Sequence, residues 1–319
     1  MPDSPSDEAP SGPTEADDAA ASSPAEVPAP PSLEPYTAHY PPWAQELARK
    51  YFTKTIAAFI LHGDIRDVVP TENSEGTRAY PALRDFLSDD LFAARDVVVF
   101  YDRSAGIHFA DEASKNDFNR ALSGHDTVFG TDYQKNLPKD PPRVFSLLEN
   151  YFRLRLSNGT RVACIIDYAE TIAPMAEASM YSAEDRQALV YLQKWTRDSL
   201  FLESDFTLTL LTENLTDLNQ QLVQSPHTAE ISVPIPEEAD RQAYVDWALE
   251  DREETFAAHA DVSARALATN TAGLNFTQLR TILADVLENK NRLTPDTLSD
   301  LKKEFIEAEA YGLLEFIET

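Results

Sequence analysis

The chain has 319 residues, of which 43% are hydrophobic and 10% aromatic, so it can bury a sizeable core in one large domain or two smaller ones. Its single cysteine, Cys164, excludes a disulfide framework and a cysteine-rich zinc site and favours a reducing compartment. The net charge of −27 disfavours binding to nucleic acid and to anionic lipid. No apolar run approaches the roughly 20 residues that span a bilayer. We therefore predict a cytoplasmic protein with no nucleic-acid or membrane partner.

The first 42 residues differ in composition from the rest of the chain. They contain 11 of the 21 prolines and eight acidic residues, but no lysine or arginine. Proline at this density interrupts both helices and sheets, and the few apolar residues cannot offset the entropy cost of ordering the segment. We therefore predict a disordered acidic tail over residues 1–42, followed by a body that is itself acidic, with a net charge of −19.

Five short runs rich in Val, Ile, Leu and Phe follow the tail, and each is bounded by polar or turn residues. These predicted strands cover residues 57–63, 96–102, 161–168, 206–214 and 229–235. Near-continuous apolar runs are typical of strands that are buried on both faces. Helical patterns accompany them at residues 43–56, 79–92, 111–122, 141–157, 183–200 and 215–223. This alternation predicts an α/β domain at residues 43–236, with an open, mostly parallel five-stranded sheet and flanking helices.

After Pro236 the pattern changes, because no further strand signal occurs. Helical periodicity covers residues 237–253, 261–269, 275–289 and 295–311. Helix starts are marked by Glu237 and Glu238 after Pro236, and by Thr294 before Pro295. We therefore predict a small all-helical domain at residues 237–311.

Polar residues end the predicted strands, and the carboxyl ends of parallel strands are where ligands bind in open α/β sheets. The acidic residues at these ends are Asp64, Asp102, Asp167, Glu170 and Glu213. Carboxylates that converge on one edge could hold a divalent cation. The alternative is that polar residues end strands only because the chain enters solvent there.

Common catalytic motifs are absent from the sequence. None of the nine glycines is followed by lysine, so no G-x-x-x-x-G-K-[ST] phosphate loop exists, and no G-x-G-x-x-G spacing occurs. The six histidines show no H-x-x-x-H spacing, no G-x-S-x-G motif is present, and Cys164 lies inside an apolar strand run. A conventional P-loop ATPase is therefore excluded, and we assign neither catalytic residues nor metal ligands.

Several motifs nevertheless resemble those of a AAA+ ATPase module, a relative of the P-loop NTPases. VACIIDYAE (162–170) resembles the Walker B strand that ends at Asp167, with Tyr168 where the family places its catalytic glutamate. LTLLTEN (208–214) is similar to the sensor-1 strand, with Asn214 at its polar position. ALATNTAGLNFTQLRTILADVL (266–287) resembles the small helical lid domain. The resemblance covers about residues 45–319.

Two departures define which kind of AAA+ module the chain resembles. The segment FILHGDIRDVVP (59–70) has one glycine and no lysine in place of Walker A, and SPHTA (225–229) lacks the arginine finger. Degenerate modules of this kind precede an active AAA+ domain in longer bacterial AAA family ATPases. The C-terminal residues resemble the linker into such a domain, and we predict that linker at residues 312–319.

The resemblance implies a non-catalytic interaction or assembly module that helps to build or position an ATP-driven remodelling complex. We expect no turnover by this chain alone; in a longer chain, ATP hydrolysis would belong to a following AAA+ module. The implied partner is a protein, either a AAA+ ATPase subunit or that following module, and a ring of identical chains is a further candidate assembly.

Two alternatives stay open. In the first, an altered phosphate loop around Gly63, Asp64 and Arg66 still binds ATP or ADP with Mg²⁺. The predicted cofactor-binding residues are then Gly63, Asp64, Asp167, Glu170 and Asn214. In the second, four strand-end carboxylates gather Mg²⁺ for phosphate-ester hydrolysis. These carboxylates are Asp64, Asp102, Asp167 and Glu213.

Overall fold

A computed structural model describes residues 37–53, 56–72, 76–177 and 179–314. Most of the predicted tail, residues 1–36, and the end of the predicted linker, residues 315–319, lie outside the described residues. The described part of the tail segment contacts the body. The ring of Tyr40 packs edge-on against Phe86, and the Tyr40 hydroxyl donates to the backbone oxygen of Asp90 at 2.9 Å.

Eight strands form two sheets in the described residues. They are β1 (Ala58–Gly63), β2 (Thr71–Glu72), β3 (Arg78–Ala79), β4 (Val97–Asp102), β5 (Gly106–Phe109), β6 (Val162–Ile166), β7 (Phe206–Leu211) and β8 (Thr228–Val233). The main sheet has the order β5-β4-β6-β7-β1-β8, and β2 pairs with β3 in a separate antiparallel ribbon. The prediction of an open, mostly parallel sheet is confirmed.

The number of strands in the main sheet is corrected from five to six. All five predicted strands are present, and the additional strand, β5, pairs antiparallel with β4 at one edge. Its sequence, GIHF, spans only four residues, and Gly106 begins it with a positive φ of 85°. A strand this short, entered by a tight turn, carries no apolar periodicity that could have predicted it.

Both faces of the main sheet are buried, as the continuous apolar runs predicted. Along β1, Ala58 and Ile60 belong to one apolar cluster, whereas Phe59 and Leu61 belong to the cluster on the opposite face. Successive strand side chains point to opposite faces, so a strand with helices on both sides needs apolar residues at every position. Cys164 in β6 is fully buried in the first cluster, and this burial raises the pKa of its thiol.

The described residues form twelve α-helices. They are α1 (Pro42–Phe52), α2 (Leu83–Asp85), α3 (Glu112–Phe129), α4 (Pro141–Ser157), α5 (Ala183–Trp195), α6 (Ser199–Glu203), α7 (Gln220–Val223), α8 (Glu238–Leu249), α9 (Glu253–His259), α10 (Ala264–Asn270), α11 (Phe276–Leu287) and α12 (Pro295–Leu314). The helical pattern predicted over 183–200 divides into α5 and α6, because the Asp198 side chain caps a new helix by accepting from Leu200 N at 3.0 Å. No helix among the described residues is both long and apolar enough to cross a membrane.

The last five helices, α8 to α12, have an apolar core of their own. Leu267, Leu279 and Ile282 are each at most 1% exposed within it. α12 continues to Leu314, past the predicted helix end at residue 311. The chain therefore places a helical domain after an α/β domain, as the sequence predicted.

We predict that Gly63→Ala destabilises the protein strongly. Gly63 ends β1 with a φ of +96°, and a Cβ atom there would lie 2.5 Å from the backbone oxygen of Val233. Left-handed strain and this clash should together lower the free energy of unfolding by about 3 kcal/mol. Urea unfolding followed by circular dichroism measures the loss.

Gly124→Ala is the matched control, because Gly124 lies inside α3 and a Cβ there would meet no atom within 4 Å. Alanine should raise the free energy of unfolding by roughly 0.5–1 kcal/mol at this helix-interior position. Equal urea midpoints for the two variants would contradict the constraint that we assign to Gly63.

Candidate functional site

The candidate site lies at the carboxyl end of β1, where the direction of the chain connections reverses. β1 lies between β7 and β8, and the chain leaves β1 to form β4 on the far side of β7 and β6. β7 in turn connects back across β1 to β8. Ligands of open α/β sheets bind at such switch points, outside the carboxyl ends of the strands.

An arginine from the loop after β1 occupies this edge. Arg66 Nη1 donates to both carboxylate oxygens of Asp167, at 2.8 and 2.9 Å, and Arg66 Nε donates to Glu213 Oε1 at 3.0 Å. The guanidinium carbon also lies 4.0 Å from the ring centroid of Tyr168. We call these four residues the Arg66 cluster. It joins the ends of β1, β6 and β7 through one side chain.

The Arg66 cluster keeps its cation charged. Partial burial lowers the pKa of Arg66, but the hydrogen bond to Glu213 and the charge of Asp167 together raise this pKa above its ordinary value. The side chains of Arg66 and Asp167 are 35% and 34% exposed, so water screens part of their attraction. A permanent positive charge therefore sits between two carboxylates at the switch point.

Backbone strain accompanies the cluster. Tyr168 follows Asp167 with a φ of 51°, a left-handed conformation that costs a non-glycine residue on the order of 1 kcal/mol. The conformation is held from both sides, because Tyr168 N donates to Asp167 Oδ1 at 2.8 Å and Thr171 Oγ1 donates to Tyr168 O at 2.7 Å. It leaves the tyrosine ring over the Arg66 guanidinium.

The same loop holds the helical domain through a second anchor, Asp67. Its carboxylate is 4% exposed and caps α11, accepting from Phe276 N at 2.7 Å, from Thr277 N at 2.8 Å and from Thr277 Oγ1 at 2.7 Å. A carboxylate at a helix N-terminus satisfies free N–H groups and opposes the helix dipole. Beside it, Asp64 Oδ1 accepts from Asn275 Nδ2 at 3.3 Å.

Backbone donors of this loop are also bonded within the protein. Gly63 N donates to Glu213 O at 3.0 Å, Asp64 N to Val233 O at 2.9 Å, and Ile65 N to Gly63 O at 2.8 Å. The next helix along the chain begins only at Leu83. Phosphate sites of α/β folds use free loop N–H groups and a helix N-terminus that follows directly. In this loop the N–H groups of Gly63, Asp64 and Ile65 are not free, and no helix of the described residues follows directly.

The predicted site residues are only partly brought together. Gly63, Asp64 and Asp167 lie at the switch point with the contacts given above. Asn214 Nδ2 donates to Asp217 Oδ2 at 3.2 Å. Glu170 lies in the 3₁₀ turn Ala169–Thr171, and its Oε2 atom is buried without a hydrogen-bond partner among the described residues. Their assignment as cofactor-binding residues stays a prediction.

The strand-end carboxylates do not converge on one site. Asp102 Oδ1 accepts from the backbone N–H groups of Ser104 and Ala105 at 2.8 and 2.7 Å, whereas Asp167 and Glu213 share Arg66. No group of three or more His, Cys, Asp or Glu side chains in the described part of the chain is arranged to hold a metal ion. This geometry does not support the Mg²⁺-dependent hydrolase alternative.

Sequence reasoning placed Arg66 with Gly63 and Asp64 in an altered phosphate loop, but it predicted neither the carboxylate partners of Arg66 nor a role for Asp67. A signal for Arg66 was available, because it is the only Lys or Arg between residues 59 and 70, where a phosphate loop would need its lysine. No local signal existed for Asp67, since its partners lie 209 and 210 positions further along the chain.

Two family models match most of the chain. The AAA+ chaperone N-terminal Rossmann-like domain matches residues 27–234, and the AAA+ chaperone second helical domain matches residues 239–311. No curated protein shows a significant match to the sequence. A chain in the solved structure of the E. coli MS115-1 HORMA:CdnC:Trip13 complex is similar with a TM-score of 0.48 and 14% identity, over 85% of this chain and 81% of that one.

We predict that Asp67→Ala loosens the helical domain from the loop after β1. The change removes three acceptor contacts and leaves buried N–H groups of α11 unpaired, which should lower the free energy of unfolding by about 3 kcal/mol. Urea unfolding measures the total loss, and hydrogen exchange should show faster exchange at Phe276 and Thr277.

Asp111→Ala is the control, because Asp111 caps α3 from an exposed position by accepting from Ser114 N at 2.8 Å. An exposed cap of this kind is worth about 1 kcal/mol. If both variants lower the free energy of unfolding by the same amount, a special role for Asp67 is contradicted.

We also predict that Arg66→Met weakens the protein by roughly 1 kcal/mol, because Asp167 and Glu213 then face each other without a cation. Arg66→Lys should recover only part of this loss, since an ammonium group cannot bind Asp167 and Glu213 through two separate nitrogens as Nη1 and Nε do. The urea midpoints of the three proteins, compared at low and high salt, measure the effect. Lys115→Met, which removes a surface ion pair with Glu112, is the control. The prediction is wrong if this variant lowers the free energy of unfolding as much as Arg66→Met does.

Proposed function

Since the chain belongs to the AAA+ chaperone family through its N-terminal Rossmann-like and second helical domains, we propose that it is a non-catalytic module that assembles with or positions an ATP-driven remodelling complex. The observation that carries this proposal is the pairing of Arg66 with Asp167 and Glu213. It supplies a permanent cation where an active module would bring Mg²⁺ to the Walker B aspartate.

Charge argues against nucleotide binding at this edge. An incoming Mg·ATP would have to displace the guanidinium and break its charge-assisted hydrogen bonds to Asp167 and Glu213. The displaced Arg66 could pair with phosphate, but Asp64, Asp67 and Glu213 would then face the phosphates. Like charges at these distances disfavour the complex.

Backbone geometry argues in the same direction. The N–H groups of Gly63, Asp64 and Ile65 already donate to carbonyl oxygens within the protein. A phosphate would gain the N–H groups of Gly63 and Asp64 only if Glu213 and Val233, at the ends of β7 and β8, released them. It would gain that of Ile65 only if the bond to Gly63 O broke. The alternative of a residual ATP-binding module therefore requires a rearranged loop.

A module without turnover acts through the proteins that it binds. We propose a AAA+ ATPase, as a separate subunit or a following domain, as the partner, with a ring of identical chains as the other candidate assembly. A cytoplasmic location remains a prediction from the sequence.

Titration calorimetry with Mg·ATP and Mg·ADP tests the part of the proposal that says the module is non-catalytic and does not bind nucleotide. We expect no heat of binding and no rise in the melting temperature at about 2 mM nucleotide, because a ligand raises the stability of a protein only if it binds the folded state. Light scattering should give the same mass with and without nucleotide.

Binding with a dissociation constant below about 1 mM that is lost in Asp167→Asn would overturn the proposal and establish a residual nucleotide site. The assembly half is tested by mixing the chain with purified AAA+ ATPases from the same organism. Light scattering should then detect a complex with one of them, and no complex with any of them, together with a monomeric mass alone, would contradict an assembly role.

A further inference from the structure

A cavity of about 550 Å³ lies between the α/β domain and the helical domain, next to the loop after β1. Its walls come from the segment before α1, the β2–β3 ribbon, the segment after β8, and the N-terminal ends of α8 and α11. A volume of this size accommodates a small ligand or a few side chains of a partner protein, and clefts between domains are common binding sites.

The charged groups in the cavity lining are mainly negative. Five carboxylates line it, against Arg78 as the one lysine or arginine among its described lining residues. Asp67 is saturated by its contacts with α11, but others keep acceptor capacity. Asp240 accepts from Glu237 N at 3.0 Å through one oxygen, and Glu72 makes only a 3.4 Å contact with Arg78. A carboxylate has about four acceptor positions, so these groups can bind further donors.

Aromatic rings also line the cavity. Tyr40, Trp43, Tyr80 and Phe276 line the same cavity, together with Pro234. Aromatic faces next to carboxylates suit a flat organic cation, because the rings attract its charge and the carboxylates accept its N–H groups. They do not suit a phosphate.

One buried polar group in the wall has no partner. Thr71 is 6% exposed and lines the cavity, and its hydroxyl makes no hydrogen bond with any described residue. An unpaired buried hydroxyl costs stability, so native proteins rarely keep one that nothing contacts. Thr71 is therefore a polar group in the cavity wall whose hydrogen-bonding capacity is unused among the described residues.

We propose that this cavity binds an arginine side chain from a partner protein. The guanidinium group donates to carboxylates in a fixed fork and stacks on rings, whereas the more strongly hydrated ammonium of lysine does neither as well. That the arginine comes from a protein rests on the proposed function, in which the chain acts by assembly. The cation preference of the cavity follows from its own lining.

Ligand-observed NMR tests the proposal with two capped tripeptides, acetyl-Gly-Arg-Gly-amide and the same peptide with citrulline, which keeps the shape of arginine but not its charge. We expect the arginine peptide to bind at least about fivefold more tightly. The double variant Glu237→Gln, Asp240→Asn should lose most of this preference. Glu250→Gln, Asp251→Asn, which removes the same charge at the other end of α8, should keep it.

Thr71→Val separates binding from folding. If the hydroxyl contacts the ligand, valine lowers the affinity for the arginine peptide while the urea midpoint stays equal or rises, because no hydrogen bond within the protein is lost. An unchanged affinity in this variant would remove the hydroxyl from the proposal.

Three results would overturn the proposal. They are equal binding of the arginine and citrulline peptides, equal losses in the two double variants, and tighter binding of spermidine that displaces the arginine peptide, which would identify a small polyamine as the ligand. None of them depends on the nucleotide titration, so this inference and the proposed function can fail separately.

Discussion

A buried carboxylate at the start of a helix fixes the arrangement of this protein. Asp67 is removed from water, which costs several kcal/mol for a charged group unless hydrogen bonds replace its hydration. No cation does so here; the replacement comes from two backbone N–H groups, a hydroxyl and the dipole of α11. Because these donors belong to the helical domain, the loop after β1 cannot move without breaking the contact between the two domains.

Arg66 imposes the complementary constraint on the α/β domain. It lies one residue before Asp67, so the loop is fixed on one side to α11 and on the other to the ends of β6 and β7. The backbone hydrogen bonds of Gly63, Asp64 and Ile65 further restrict the conformation of the loop. In the described part of this loop, Gly63, Asp64, Ile65, Arg66 and Asp67 all make contacts that hold the domains and strands together.

The sequence predicted what depends on local pattern. The strands β1, β4, β6 and β7 were correct because burial on both faces favours apolar residues at nearly every position, whereas β8 alternates between buried and exposed residues. Asp167 was located by the resemblance of its strand to Walker B. β5 was missed because four residues carry no period. The Arg66–Asp167 pair and the cap of Asp67 on α11 could not be predicted, since they join residues 101 and about 209 positions apart. Helix caps can be predicted only when the capping residue precedes the helix directly, as Asn275 does for α11.

The loop after β1 also explains why this edge of the sheet favours cations, whereas a phosphate loop favours anions. A phosphate loop creates positive potential through free N–H groups, a helix N-terminus and a lysine. In this chain the N–H groups of Gly63, Asp64 and Ile65 are bonded to carbonyl oxygens. The loop also carries Asp64 and Asp67, and its one arginine is neutralised by two carboxylates. The potential outside the strand ends is therefore set by unpaired acceptor capacity, including that of Glu237 and Asp240 at the domain boundary. The body carries a net charge of −19, and Arg66 and Arg78 are paired with carboxylates, so this edge favours the cationic groups that we propose a partner protein supplies.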